Sequence, residues 1–244
     1  MNPKVAFFDF AGCEGDQLQV ANLEEDLLTL LGQVEVVSFR EIMKEHSDEY
    51  DIAFVEGSCT RLQDEDRLKQ IRRNAKIVVA LGSCAAIGGI NSLRNYKDLE
   101  EVGRIVYGNA KLFDTYAARP INAVIPVDAY IYGCPIDKKE FLQIVKSLLL
   151  NKKPDTPNYP VCVECKKNEN ICAFERGQFC IGTVTRGGCN SCCINEGTIC
   201  WGCRGLVDDP NENSHKEILI KYGLAVDDAI NKFRLYFGWQ EGKK

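Results

Sequence analysis

The chain has 244 residues, a formal charge of −5 and an isoelectric point near 5.3. That length suits one α/β domain with a small appendage; its scattered Lys and Arg argue against a nucleic-acid partner, and no apolar run approaches the roughly 20 residues of a membrane span. Its 13 cysteines are too sparse for a disulfide scaffold; without a signal peptide or twin-arginine motif, the expected compartment is the cytoplasm, where thiols stay reduced and serve metals.

From residue 1 to 150, short apolar runs alternate with helical patterns. Strands are predicted at Lys4–Phe10, Val34–Phe39, Asp51–Val55, Lys76–Leu81 and Ala129–Tyr132. Helices are predicted at Leu18–Leu31, Glu65–Asn74, Asp98–Tyr107 and Asp137–Leu150, the last opening on Asp137 as N-cap. Such alternation implies a doubly wound parallel sheet, with β-branched runs such as Ile77-Val78-Val79 buried on both faces. Residues 151–160, rich in proline and polar side chains, read as a linker. Residues 161–206 show no helical or strand period and little apolar material besides cysteine, so bound metal is expected to cross-link them. Residues 207–244 form a tail, helical over Asn213–Trp239 and expected to dock on a neighbour.

Nine cysteines fall between Cys162 and Cys203. They run as Cys162 and Cys165, then Cys172, Cys180, Cys189, Cys192 and Cys193, and finally Cys200 and Cys203. Eight such thiolates suit two four-cysteine iron–sulfur clusters, with one left over. The other four, Cys13, Cys59, Cys84 and Cys134, each follow the carboxyl end of a predicted strand and each have a glycine nearby. In an open parallel sheet those ends share one edge, where ligands bind. A flavin or nucleotide fits this edge less well. Ala11-Gly-Cys-Glu-Gly-Asp16 offers no hydroxyl to a phosphate and carries two carboxylates, and Gly82–Gly89 lacks the lysine of a P-loop. A zinc module would explain the paired tail cysteines but not those of the edge.

Several motifs in order carry a resemblance. They are Ala11-Gly12-Cys13, Val55-Glu56-Gly57-Ser58, Gly82-Ser83-Cys84-Ala85, Tyr132-Gly133-Cys134-Pro135, Tyr159-Pro160-Val161-Cys162, the run from Cys180 to Cys189, and Cys200-Trp201-Gly202-Cys203-Arg204-Gly205. From about residue 4 to 206 the chain resembles the small subunit of [NiFe] hydrogenases, closest to the soluble group 3, sulfhydrogenase-type delta subunits. The resemblance implies a flavodoxin-like α/β domain followed by a small cysteine-rich iron–sulfur domain. It implies three [4Fe–4S] clusters: proximal at Cys13, Cys84 and Cys134, distal at Cys162, Cys165, Cys172 and Cys180, and medial at Cys189, Cys193, Cys200 and Cys203. Cys192 stays unassigned and could exchange with Cys193. The family usually places a fourth proximal cysteine where this chain has Asp16. Either the Asp16 carboxylate takes that place, or Cys59 does, or the centre is open or three-iron.

The implied role is one-electron conduction in an oxidoreductase acting on hydrogen. Its partners would be a nickel–iron large subunit and a flavin/NAD(P)-binding, ferredoxin-like or heterodisulfide-reductase-type electron-transfer subunit. The competing reading is an electron-transfer subunit of a non-hydrogenase complex. Glu56 is a secondary candidate, either for proton movement or simply for hydrogen bonding its turn.

Overall fold

The computed structural model describes residues 2–109, 114–223 and 225–239. Among them, β1 (Lys4–Asp9), β2 (Glu35–Phe39), β3 (Ile52–Glu56), β4 (Ile77–Leu81) and β5 (Ala129–Ile131) form one parallel sheet in the order β2-β1-β3-β4-β5. The order reverses beside β1, which leaves a crevice above the carboxyl ends of β1 and β3. All five predicted strands are present, each within two residues of its expected limits.

The register sorts side chains by size. Phe7, Phe54 and Val79 align on one face, and Ala6, Ala53 and Val78 on the other. On the first face Phe7 stacks on Phe39 at 4.3 Å and on Phe54 at 4.9 Å. Val20 of α1 (Gly15–Ala21) and Phe141 and Ile144 of α6 (Lys138–Leu149) close this layer. The small residues of the second face pack with Leu68 and Ile71 of α3 (Leu62–Asn74) and Ala85 of α4 (Gly82–Ile87). Asp137 caps α6 as predicted, its carboxylate accepting from the Glu140 N–H at 2.9 Å.

Three expectations are corrected. The single helix predicted over Leu18–Leu31 is two, α1 and α2 (Glu25–Leu31). Leu23 turns into the core between them, and Glu24 reverses the chain at φ 58°. Second, residues 161–206 do have an apolar core: Val161, Phe174, Phe179, Ile181, Val184 and Ile199 are buried together. These residues are spread irregularly between the cysteines, so no period revealed them. Third, the tail docks on its own chain. Leu219 of α9 (Glu212–Lys221) joins that core, and Phe233 of α10 (Val226–Arg234) and Phe237 pack against it. The Tyr96 hydroxyl then donates to the Phe237 carbonyl at 2.7 Å, and the Gly238 N–H donates to Ser92 Oγ at 3.1 Å. Among the described residues, no helix is long and apolar enough to cross a membrane.

Candidate metal centres

The carboxyl edge of the sheet gathers residues that are distant in sequence. Cys13 follows β1, Cys84 lies in α4 directly after β4, and Cys134 lies just beyond β5. Burial raises the Cys84 thiol to about 12, helped by the nearby Cys134, Asp16 and Cys13. Burial also raises Cys134, which feels Asp16 and Cys13 as well. The three cysteines and Asp16 therefore share one neighbourhood, with Cys13 exposed at its mouth.

Asp16 is held deep in this group. Its Oδ1 accepts from the Ile136 N–H at 2.8 Å, and a Cβ on Gly82 would fall 1.7 Å from its Oδ2. Only glycine, here at φ +81°, leaves room for the carboxylate. Burial, with the charge of Glu56 beside it, raises Asp16 to about 7. Glu56 accepts from the backbone N–H groups of Asp16 at 3.2 Å and Gln17 at 2.9 Å. It thus satisfies the first N–H groups of α1 rather than bonding its own Glu56-Gly57-Ser58 turn. Asn91, a residue no motif suggested, spans the edge by donating to the Ala11 carbonyl at 2.6 Å, to Ser58 Oγ at 3.0 Å and towards Cys84 Sγ at 3.8 Å.

Cys59 points elsewhere. Its sulfur lies 3.0 Å from the Tyr116 hydroxyl and 3.8 Å from the Arg61 carbonyl. Burial raises its pKa, and the charges acting on it are those of Asp64, Arg119 and Glu65. It follows a strand end like the others, but its thiol is turned into the packing behind the edge.

In the cysteine-rich segment, Cys162 and Cys165 lie one turn apart on α7 (Val161–Lys167) and so share a face. Burial raises Cys162 to about 12, followed by the effects of Cys180, Cys165 and Cys172, so these four are neighbours. A second group forms beside them. Burial raises Cys203 to about 12, and its charged neighbours are Cys189, Cys134 and Cys193. Cys189 is raised by burial to about 11, with Cys192 next in effect. Cys192 and Cys193, in α8 (Cys192–Asn195), have sulfurs 4.0 Å apart, and Cys192 is the more exposed. Cys200 is raised well above its ordinary value, first by burial and then by Cys180. Its N–H donates to Cys180 Sγ at 3.4 Å. This second group therefore touches the edge set through Cys134 and the first tail set through Cys180.

All thirteen cysteines are free thiols. Burial and mutual repulsion oppose their ionisation, whereas a bound cationic centre reverses that balance, since a coordinating thiol is deprotonated outright. Soft thiolate sets are a donor chemistry suited to iron–sulfur clusters, to which the Asp16 carboxylate would add one harder donor. Among the described residues, no group of three or more His, Cys, Asp or Glu is close-set enough to hold a single metal ion.

Sequence reasoning missed one further feature, the buried pair Arg204–Glu140. Its members sit 64 positions apart, and no motif joins them. The only signal was a basic residue directly after Cys203.

Residues 13–148 match the family model "NADH ubiquinone oxidoreductase, 20 Kd subunit". The chain is 34% identical to sulfhydrogenase 2 subunit delta of Pyrococcus furiosus over 97% of its own length and 100% of that protein. It is similar to a chain of an NAD+-reducing [NiFe]-hydrogenase in its H2-reduced state, with 26% identity and a TM-score of 0.57. That match covers 64% of this chain and 96% of the other. A chain of the actinobacterial-type NiFe-hydrogenase from Ralstonia eutropha H16 shares the fold over 95% of this chain and 89% of its own, with a TM-score of 0.59 at 15% identity.

Proposed function

The chain belongs to the NADH ubiquinone oxidoreductase 20 Kd subunit family, among its hydrogenase small subunits, and on that premise we propose that it is the electron-transfer subunit of a cytoplasmic [NiFe] hydrogenase complex. It would hold three [4Fe–4S] clusters: one at Cys13, Asp16, Cys84 and Cys134, one at Cys162, Cys165, Cys172 and Cys180, and one at Cys189, Cys193, Cys200 and Cys203. When bound, such clusters supply one-electron storage at potentials set by charge, hydrogen bonding and exposure.

The observation that carries this reading is the contiguity of three thiol sets, linked through Cys134 with Cys203 and through Cys180 with Cys200. The residues' work is to hold a row. The sheet edge presents Cys13 outward, towards a catalytic large subunit, and the α7 set lies at the other end, towards a flavin or iron–sulfur partner. Cys84 and Cys200 are buried, which limits water where the edge and middle sets adjoin. Asp16 serves as the fourth edge ligand better than Cys59, because its charge acts on Cys84 and Cys134 while the Cys59 thiol lies against Tyr116.

Anaerobic purification followed by iron, acid-labile sulfide and zinc analysis tests this. About 12 iron and about 12 sulfide per chain are expected, with essentially no zinc. Stoichiometric zinc with iron near zero would sink it. The matched family description names an NADH ubiquinone oxidoreductase, which favours a second reading: the same row serving a non-hydrogenase oxidoreductase. Nickel in the co-purifying partner separates the two.

A further inference from the structure

Arg204 is almost wholly buried, and so is Glu140, with side chains 1% and 7% exposed. The guanidinium grips Glu140 with both prongs, Nη1 to Oε2 and Nη2 to Oε1, each at 2.7 Å. Its Nη1 also donates to the Tyr132 carbonyl at 2.5 Å, and its Nε donates to the Gly187 carbonyl at 2.7 Å. These partners are not scattered. Tyr132 lies two residues before Cys134, Gly187 two before Cys189, and Arg204 directly follows Cys203. One planar side chain thus ties the backbone entering an edge cysteine to the backbone around two cysteines of the middle set. The slot is tailored to it, since a Cβ on Gly188 would fall 2.3 Å from Nη2.

A second contact repeats the link. The Ser83 hydroxyl lies between the Gly133 carbonyl, at 2.8 Å, and the Cys203 carbonyl. Ser83 precedes Cys84, and Gly133 precedes Cys134. Stability alone is a weak reason for a buried ion pair here, because its desolvation cost offsets most of the Coulomb gain and an apolar pair would often serve as well. What an apolar pair cannot do is fix four backbone segments in one geometry through directional bonds.

Resting on the three-cluster reading, we propose that Arg204, with Glu140 and Ser83, is a positioning residue that sets the separation and coupling between the edge cluster and the middle cluster. Electron tunnelling falls steeply with distance, so a small relaxation of this clamp is felt in transfer rate before it is felt in cluster retention.

The test uses the whole complex and three variants: Arg204→Lys, which keeps the charge and loses the fork, Glu140→Gln, and Ser83→Ala. Iron and sulfide are measured first, then the spin–spin interaction in EPR with neighbouring clusters reduced, then the internal electron-transfer rate. At full iron content, Arg204→Lys and Glu140→Gln should weaken the interaction and slow transfer, with a smaller loss in Ser83→Ala. Should Arg204→Lys lose iron, Glu140→Gln and Ser83→Ala decide. Unchanged coupling in iron-complete variants overturns the positioning role. A wild type without two separable, interacting signals overturns instead the three-cluster reading beneath it.

Discussion

Asp16 is the residue on which the edge site turns. Buried against Gly82 and close enough for its charge to act on Cys84 and Cys134, it places a carboxylate where the family resemblance expects a thiolate. Asp16→Cys should therefore keep the iron count yet change the potential and EPR spectrum of the edge cluster, because a softer donor replaces a harder one. Asp16→Ala should damage that signal, and Cys59→Ser should leave it intact; redox-titrated EPR on the three variants decides. The metal-free chain gives an independent check. Burial, then Glu56, raises Asp16 from 3.8 to about 7, so between those values the folded chain holds a proton that the unfolded chain has lost. Its contribution to stability is fully present below pH 3.8 and is lost as pH rises through 7. Urea unfolding of chelator-stripped protein should show that slope, and Asp16→Asn should flatten it. The sequence made Cys13, Cys84 and Cys134 legible because strand ends converge by topology alone. That topology gathers Cys59 equally, and only the family resemblance set it apart as an alternative to Asp16, since the direction of a side chain past a strand end depends on the turn that follows. The Tyr116 hydroxyl that receives this thiol is 57 residues away.

Among the elements, the helical tail departs most from expectation, because it completes a core rather than awaiting a partner. His215 of α9 sits among Phe174, Phe179 and Phe233, with ring centroids 5.4–6.4 Å away. Its Nδ1 lies 2.6 Å from Thr183 Oγ1, and its Nε2 is buried with no hydrogen-bond partner among the described residues. Burial lowers its pKa below 6.5, so the folded chain carries it neutral where the unfolded chain would protonate it. The tail is thus fully docked above pH 6.5 and loosens as pH falls below it. Hydrogen exchange across α9 at pH 7 and pH 5 should show this, and His215→Gln should blunt the difference. In α8, Cys192→Ser should leave both tail clusters in place while Cys193→Ser removes one. The opposite iron counts would exchange their assignments. Strands were readable here from continuous β-branched runs, and α6 from its cap and period. The turns of the cysteine-rich segment were not, because its apolar residues are spread irregularly between the cysteines and follow the period of neither helix nor strand.

At the scale of the whole molecule, Cys13 stands exposed at the edge, and a low-potential centre left open there would lose electrons to solvent oxidants. The chain should therefore purify as an obligate complex with a broad interface over this edge. A stable, cluster-complete monomer in native extract would contradict that. The parallel sheet has a consequence in time as well as in space. The edge set spans Cys13 to Cys134 and exists only after four strand crossovers have closed, whereas Cys162 to Cys180 is a short local stretch. Closing long loops costs more entropy and comes later in folding than closing short ones. Maturation should accordingly run from tail to edge, so that protein from iron-starved cells carries the signal of the α7 set and lacks that of the sheet edge. The centre nearest the catalytic partner would be the last to be filled, which makes its arrival a natural checkpoint that the rest of the chain has already folded.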